Sequence, residues 1–470
     1  MNIEREIKLH LTQASAAELF RLAPHRRRVA SIYYDTPRHD LRRAGIALRL
    51  RRDGGRWLQT LKAEGPQHGG LARRAEWELP LRRRALETQA FPREEIRLAT
   101  GVDLGRLAQR LRPVFETRFT RCSGLVQLGG RGKAELAIDR GRILAGRRHE
   151  PVREVELELV SGDPEALLRF AETLGLPLAY ESKAERGYRL AHGASPSPRK
   201  WFMPALEVKH APGEAFAAVA AAALAQVGIN AGRMRASCDP EYLHQLRVGL
   251  RRLRAAFQAF APALEDEAPL ERALRRLARQ LGAARDWDVF VALVEPLDLP
   301  PRVLRRARAR RGRERRTALA CVTSPQFQAF LFSAMRWLES RPWTEVDATL
   351  AGFAARRLDK LRRKSLRKVN LERAKPRHAL RIRIRRLRYA GESFAHCFPA
   401  HAVKPYLDAL RALQDLLGRL NDIAVARRLL ESMNAGIPPV LARRERRLIA
   451  CARAAWARFE QARPFWRAAV

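Results

Sequence analysis

The feature that most restricts how this 470-residue chain can fold is a change of hydrophobic period part-way along it. Up to about residue 190, apolar and polar residues alternate in short runs between turn signals. The runs are IEREIKL (3–9), VASIYYD (29–35), IALRLRR (46–52), RWLQTLK (56–62), RRAEWEL (73–79), FETRFTR (115–121), AELAID (134–139) and REVELEL (153–159). A period of two places successive side chains on opposite faces of a strand. Helical spacing breaks in near 15–23 and 164–175, and AHGASPSPRKWFMP (191–204) reads as a linker. Beyond about residue 210 the alternation stops, and Ala, Leu and Arg recur at helical spacing. The pattern predicts a multidomain chain: a β-rich, α+β domain over 1–192, a linker over 193–205 and an all-α domain over 206–470.

The helical part repeats itself. HQLRVGLRRLR (244–254) returns as HALRIRIRRLR (378–388), and LGAARDWDVF (281–290) is echoed by LGRLNDIAVA (417–426). Repeat units of about 235–340 and 370–470 follow, long enough to be two similar bundles related by a pseudo-twofold rather than a solenoid of short repeats. On a helix with about 100° per residue, His244, Arg247, Arg251 and Arg254 fill a sector of roughly 80°. Leu243, Leu246, Leu250, Leu253 and Phe257 form the adjacent apolar stripe. His378, Arg381, Arg385 and Arg388 repeat the ladder, with Arg252, Arg383 and Arg386 to one side. Like charges at this spacing repel, and no acidic residue lies within either ladder, so an anion is the expected counterpart.

The charge balance agrees. The formal net charge is +41, mostly from arginine, and 46% of residues are hydrophobic, so a disordered basic tail is excluded. Residues 1–192 hold 37 Lys and Arg against 25 Asp and Glu, and the remainder holds 54 against 25. Such a surface calls for polyanionic partners, and arginine binds two phosphate oxygens at once. The five cysteines form no CxxC or zinc spacing and fit a reduced compartment. With no leader in MNIEREIKLH, and with the apolar run 215–229 read as too short to span a bilayer, a soluble cytoplasmic protein without membrane contact is expected. No zinc finger or stacking signature points to specific nucleic-acid binding.

The strands carry organised charge on their polar faces. Glu4, Glu6 and Lys8 share a face; so do Arg49 and Arg51; so do Arg74, Glu76 and Glu78; and so do Glu154, Glu156 and Glu158. Glu116 and Arg118 alternate with Phe115 and Phe119, and Glu135 and Asp139 face away from Leu136 and Ile138. Solvated sheet faces with cross-strand ion pairs would look like this. So would a closed barrel with a charged lumen, in which carboxylates hold a divalent cation and Arg and Lys hold phosphate oxygens.

The ordered set EREIK (4–8), YYDTP (33–37), ALRLR (47–51), the Lys62 strand, AIDRG (137–141), EVELEL (154–159) and SKAERGY (182–188) resembles the CYTH family, the triphosphate tunnel metalloenzymes. The resemblance implies an eight-stranded antiparallel tunnel that hydrolyses triphosphates with Mg²⁺ or Mn²⁺. It implies metal ligation by Glu4, Glu6, Glu156 and Glu158. Phosphate binding would fall to Lys8, Arg49, Arg51, Lys62, Arg118 and Lys183, and more loosely to Arg186, with Glu76, Glu78 and Asp139 completing the acidic side. Tyr33 and Asp35 read as structural, since DTP is ordinary turn chemistry. Inorganic tripolyphosphate is the expected substrate. Thiamine triphosphatase, class IV adenylate cyclase and a non-catalytic granule-associated binder are the alternatives, and nothing in 53–72 reads a base.

Residues 206–470 resemble the CHAD domain, named for its conserved histidines. That resemblance implies two four-helix bundles whose basic surface binds inorganic polyphosphate and an association with polyphosphate granules. The two ladders, with Arg252 and Arg386, would line that surface. Arg275, Arg279, Arg357, Lys360, Lys364 and Lys368 are further candidate cations. Arg285, Asp286 and Asp288, echoed by Arg419, Asn421 and Asp422, read first as polar contacts inside the bundles.

Overall fold

The computed structural model describes residues 2–13, 16–64, 70–204, 206, 209–265 and 268–467. Residues 65–69 of the 53–72 stretch and residue 205 of the linker lie outside the described residues. The chain divides into two compact units, Met1–Arg199 with Gln328–Ser340, and Lys200–Phe327 with Arg341–Val470.

The first unit begins β1 (Asn2–His10), α1 (Ala16–Arg21), β2 (His25–Asp35), α2 (Asp40–Arg43), β3 (Ile46–Asp53), β4 (Arg56–Glu64) and β5 (Leu71–Leu81). It continues α3 (Arg93–Thr100), α4 (Leu104–Leu107), β6 (Arg112–Gln127), β7 (Lys133–Ala145), β8 (Arg148–Ser161), α5 (Pro164–Thr173) and α6 (Lys183–Ala191). Every alternating run lies in a strand. The strands close into an antiparallel barrel in the order β1-β5-β4-β3-β2-β6-β7-β8, with β1 inserted between β5 and β8. Closure leaves no sheet edge and sends one face of each strand inward.

Outside β3–β5, Leu48, Leu61 and Trp77 pack with Leu41, Ile96 and Leu104 from the short helices. That packing satisfies the apolar parity and turns the charged parity into the lumen. Helix α6 starts at a capping box: Ser182 accepts from the Glu185 N–H, and the Glu185 carboxylate accepts from the Ser182 N–H. Its Tyr188 packs with Tyr33, Phe115, Ile143 and Val152, so the helix stops the barrel with an aromatic floor. Asp35 accepts backbone N–H bonds from Thr36, Leu41 and Arg42 and the hydroxyl of Tyr188. The YYDT turn is thereby tied to the same helix.

The second unit contains α7 (Pro212–Arg233), α8 (Pro240–Phe260), α9 (Ala268–Gln280), α10 (Gly282–Val294) and α11 (Pro301–Thr323). Helix α12 (Pro325–Glu339) begins within it, and α13 (Leu350–Ser365), α14 (Ala374–Ser393), α15 (Ala400–Ser432) and α16 (Pro439–Gln461) complete it. The order of α7, α8, α9 with α10, and α11 is repeated by α13, α14, α15 and α16, and a short 3₁₀ turn follows both α8 and α14. The second copy runs α15 unbroken where the first is interrupted at Leu281. Equivalent helices meet across the duplication, α8 on α14 and α10 on α15. Leu246, Leu250, Leu380 and Ile384 are buried, as the apolar stripe requires.

The run 215–229 lies in α7, a 22-residue helix that is long and apolar enough to cross a membrane by those two measures, which corrects the expectation of a run too short to span. In this structure 72% of its apolar window is buried inside the protein. Gly249 of α8 explains how closely α7 lies: a Cβ there would come 2.8 Å from Val227 Cγ2.

Gly187 gives a direct test of the floor. A Cβ at this position would stand 2.1 Å from the Phe115 ring, a clash that the packed floor cannot absorb. Gly187→Ala should destabilise the protein by about 1–3 kcal/mol, measured by chemical denaturation; unchanged stability would mean that α6 does not seat against Phe115.

Candidate functional site

The lumen is lined by charges that closure has brought together. Lys8, Lys183 and Arg121 converge on Glu156 from β1, α6 and β6. Lys183 also bonds Asp139 at 2.7 Å and contacts Glu154, while Arg121 donates from Nε and Nη2 to Asp139 at 2.8 and 2.7 Å. Burial alone would raise the Glu156 carboxyl, but Lys183, Lys8 and Arg121 outweigh it and hold the group well below the usual carboxylate range. Burial would likewise lower Lys183, yet Asp139, Glu154 and Glu156 raise it, so both partners stay ionised.

On the neighbouring face Lys62 donates to both Glu4 oxygens at 2.7 Å and lies 3.2 Å from Glu76, and Arg74 donates to Glu6 at 3.2 Å. Glu158 differs. It has no ion pair among the described residues, and it stands directly across from Glu6 on β1 and Glu135 on β7. Burial and the carboxylates of Glu4, Glu6 and Glu76 push its acid up to about 7, against the pull of Lys62. Opposed like charges on adjacent strands are unfavourable.

Arg49 and Arg51 of β3 also line the lumen, Arg49 at 4.0 Å from Glu76 and Arg51 at 3.9 Å from Asp53. Burial beside Arg49 and Arg121 lowers Arg51 to about 10. The Nε atoms of both arginines are buried without a hydrogen-bond partner among the described residues. Thr60 donates to Glu78 at 2.9 Å. The lumen therefore offers both carboxylates and unspent cationic donors.

Among the described residues one group of carboxylate oxygens is close enough to hold a hard divalent ion together. Asp139, Glu154 and Glu156 each bring a carboxylate oxygen within 4.8 Å of the others, but the Lys183 ammonium already lies among them. Glu158 lies near Glu4 and Glu6, whose own partners are Lys62 for Glu4 and Lys8 and Arg74 for Glu6, so Glu158 is the carboxylate of the three with no ion pair among the described residues.

In the second unit the ladders face one another. Arg251 of α8 lies within electrostatic reach of Arg381 and Arg385 of α14, and Arg247 of Arg381. Burial and these like charges push Arg247 down to about 10 and Arg385 to about 9. Asp286 of α10 lies within electrostatic reach of Arg247 and Arg381, and Asp422 of α15 within reach of Arg381. The Nε atoms of Arg247, Arg251 and Arg254 have no partner among the described residues. His378 Nδ1 meets Asn421 Oδ1 at 2.8 Å, whereas His244 faces Arg285 instead.

Residues 2–188 match the CYTH domain and residues 218–431 match the CHAD domain. The chain joins a CYTH domain to a CHAD domain. An inorganic triphosphatase from Haemophilus influenzae is 34% identical over 203 residues, which is 40% of this chain and 54% of that protein; the chain thus spans about half the length of that curated relative. Among solved structures, the CHAD domain from the plant Ricinus communis is 29% identical, covering 57% of this chain and 98% of that one with a TM-score of 0.49. A Hippeastrum protein described as an adenylyl cyclase with a dominant triphosphatase activity is 20% identical, covering 41% and 97%, with a TM-score of 0.30.

Within the CYTH domain the barrel brings Glu4, Glu6, Lys8, Arg49, Arg51, Lys62, Glu76, Asp139, Glu156, Glu158 and Lys183 to the lumen, with Glu78 more exposed. Arg186 bonds Glu150 at 2.7 Å and Glu154 at 3.3 Å beside α6. Arg118 is not brought in: it is exposed on the outer face, donating to Glu116 at 2.7 Å. Arg121, three residues on and so on the opposite face, is the β6 guanidinium in the lumen. Sequence reasoning missed it because Phe115 and Phe119 were read as the core side, while in fact they face the lumen and Phe115 meets α6. Glu154 was left out of the ligand set, although it shares its parity with Glu156 and Glu158.

Within the CHAD domain Arg252 is committed elsewhere. It bonds Glu392 at 2.7 Å and lies between the rings of Trp201 and Tyr389, at 4.3 and 4.4 Å. Arg388 shares Glu392 and bonds Gln414. Arg357 donates to the carbonyls of Ala259 and Gln258 and so caps α8. Arg275 pairs with Glu271, Asp288 is buried near Arg315, and Arg386 lies near Arg254 and Glu271. Arg279, Lys360, Lys364, Lys368 and Arg419 are exposed.

Burial and the neighbouring Arg285, Arg251 and Arg247 lower His244 from 6.5 to about 4, against the pull of Glu241. The unfolded chain then binds a proton that the folded one refuses, so stability is full above about pH 6.5 and falls as the pH drops toward 4. His244→Gln should shrink the loss of melting temperature between pH 7 and pH 4.5; an undiminished loss would show that His244 is not held neutral.

Proposed function

We propose that the CYTH domain is a metal-dependent triphosphatase acting on inorganic tripolyphosphate, and that the CHAD domain binds inorganic polyphosphate. The observation that carries the first part is one lumen that holds both a Glu158 with no ion pair among the described residues and buried Arg49 and Arg51 whose Nε donors have no partner among them. A metal-bound phosphate chain presents the complementary groups, a cation and oxygens.

Glu4, Glu6 and Glu158 would hold the ion, with Asp139, Glu154 and Glu156 as a second carboxylate group. Bound Mg²⁺ or Mn²⁺ supplies Lewis-acid polarisation of phosphate oxygens. Arg49, Arg51, Lys62 and Arg121 hold the chain and neutralise charge that builds up on the transferred phosphoryl group. Lys8 and Lys183 keep Glu156 ionised and fixed. The α6 floor excludes water from one end, so the attacking water enters from the other. No covalent nucleophile is required for in-line attack by water.

The reading of the CHAD domain rests on the facing ladders, whose unpaired, burial-weakened guanidinium groups gain charge partners from a polyanion. Attachment of long chains beside a triphosphatase would raise the local concentration of phosphate chains. Cytoplasmic location, and granule association through the same polyphosphate contacts, belong to this proposal.

Phosphate release from tripolyphosphate with Mg²⁺ or Mn²⁺, compared with ATP, thiamine triphosphate and long polyphosphate, tests the first part. Glu4→Ala and Glu6→Ala should each lower kcat by about 100-fold or more, as expected for lost electrostatic stabilisation; retained activity in both would remove these residues from the site. For the CHAD domain, Arg381→Ala with Arg385→Ala should weaken polyphosphate binding and lower its salt slope by about two. An unchanged slope in a titration against NaCl would place the ladders outside the binding surface.

A further inference from the structure

Two lumen residues have no role in the reading above. Ser31 on β2 and Thr117 on β6 are register partners, and Ser31 pairs on its other side with Arg51 on β3. Arg51, Ser31 and Thr117 therefore form a row across three adjacent strands, all of lumen-facing parity. Ser31 and Thr117 are each 1% exposed. Their hydroxyl oxygens, like Arg51 Nε, are screened from solvent and have no hydrogen-bond partner among the described residues. Buried polar groups are normally paired, because an unmade hydrogen bond leaves the desolvation cost uncompensated. Three such groups in one row offer hydrogen-bonding capacity that a ligand in the lumen would meet.

The position of the row says which part of a ligand it meets. One pleat further along the same strands, Tyr33 and Phe115 stack at 4.4 Å, with Tyr188 of α6 edge-on to Phe115 at 5.2 Å. Ile143 and Val152 complete this apolar floor. The row is thus the last station on β2 and β6 before the aromatic floor, whose Tyr33 hydroxyl is already engaged by Arg49. Its chemistry also differs from that of the other cationic groups. A hydroxyl donates and accepts, whereas a guanidinium only donates. The internal units of a linear phosphate chain offer acceptor oxygens alone. The terminal phosphoryl group has a further ionisation near pH 6, by analogy with a phosphate monoester, so it presents P–OH as well as P–O⁻ near neutrality.

We infer that Ser31 and Thr117, with Arg51, form the subsite for the terminal phosphoryl group of a linear phosphate chain. The inference rests on the triphosphatase reading of the barrel and assigns the two hydroxyls as positioning residues within it. The tunnel then takes chains end-first, and a cyclic phosphate, which has no terminal phosphoryl group, gains nothing from the row.

The test uses the full chain, with calorimetric binding of tripolyphosphate and of cyclic trimetaphosphate in the absence of metal, and initial rates with Mg²⁺. Ser31→Ala with Thr117→Val should weaken tripolyphosphate binding and raise KM about tenfold, as expected for the loss of two hydrogen bonds. Trimetaphosphate binding should be the same in wild type and variant. Ser31→Thr and Thr117→Ser keep the hydroxyls and should restore binding, which separates the role from a packing defect. Tripolyphosphate affinity and KM unchanged in the folded double variant would overturn the subsite while leaving the triphosphatase reading intact. An equal loss toward trimetaphosphate would also overturn it, as would failure of the hydroxyl-keeping variants to restore binding. A wild-type protein that neither binds tripolyphosphate nor releases phosphate from it with Mg²⁺ would overturn the triphosphatase reading, and the subsite with it.

Discussion

The barrel domain depends on the Glu156 cluster. One carboxylate takes charge partners from three separate parts of the chain, Lys8 at the start, Arg121 in the middle and Lys183 at the end. Buried ions are costly unless each is paired and hydrogen-bonded, so these residues can be buried only together. Closing the sheet between β1 and β8 brings Lys8 and Glu156 opposite one another. Seating α6 delivers Lys183. The same closure that satisfies this cluster leaves Glu158 facing other carboxylates and Arg51 facing other arginines. A lumen that neutralises itself in one region and stays unbalanced in two others is prepared for a ligand with both signs of charge.

The helical domain uses a different route to a similar end. Its apolar stripes are buried, α8 also meets α14, and the two arginine ladders come within electrostatic reach of one another. Repulsion among them is tolerated because Asp286 and Asp422 lie nearby and because some members leave the group. Arg252, taken up by Glu392 and two aromatic rings, is one of these. The duplication sets the geometry of the ladders: a single copy would hold one ladder with no opposing wall. The copies have also diverged, since His378 is oriented by Asn421 while His244 faces Arg285.

Much of the CYTH domain was legible because its strands obey a period of two, and the charged parity of β1, β3, β5 and β8 is unbroken. The strand β6 was not. There the apolar residues that ordinarily mark the outer core, Phe115 and Phe119, mark the lumen instead, and α6 supplies Phe115 with an aromatic partner at the floor. Ser31 and Thr117 gave no signal at all, since isolated hydroxyls in a strand are common and only the register sets them beside Arg51. In the CHAD domain the ladders were visible from helical spacing, but Arg252 and Arg357 were indistinguishable from their neighbours until Glu392 and the end of α8 came within reach.

The sequence by itself determined the two halves, the eight strands, the duplicated helices and the parity on which most charges lie, because these follow from local period and repetition along the chain. Tertiary structure decided which parity became interior and which charges found partners. It also decided which charges were left without them. Those outcomes depend on residues more than a hundred positions apart meeting in a closed barrel or across a helix pair, and no local pattern encodes the sign or distance of such a neighbour.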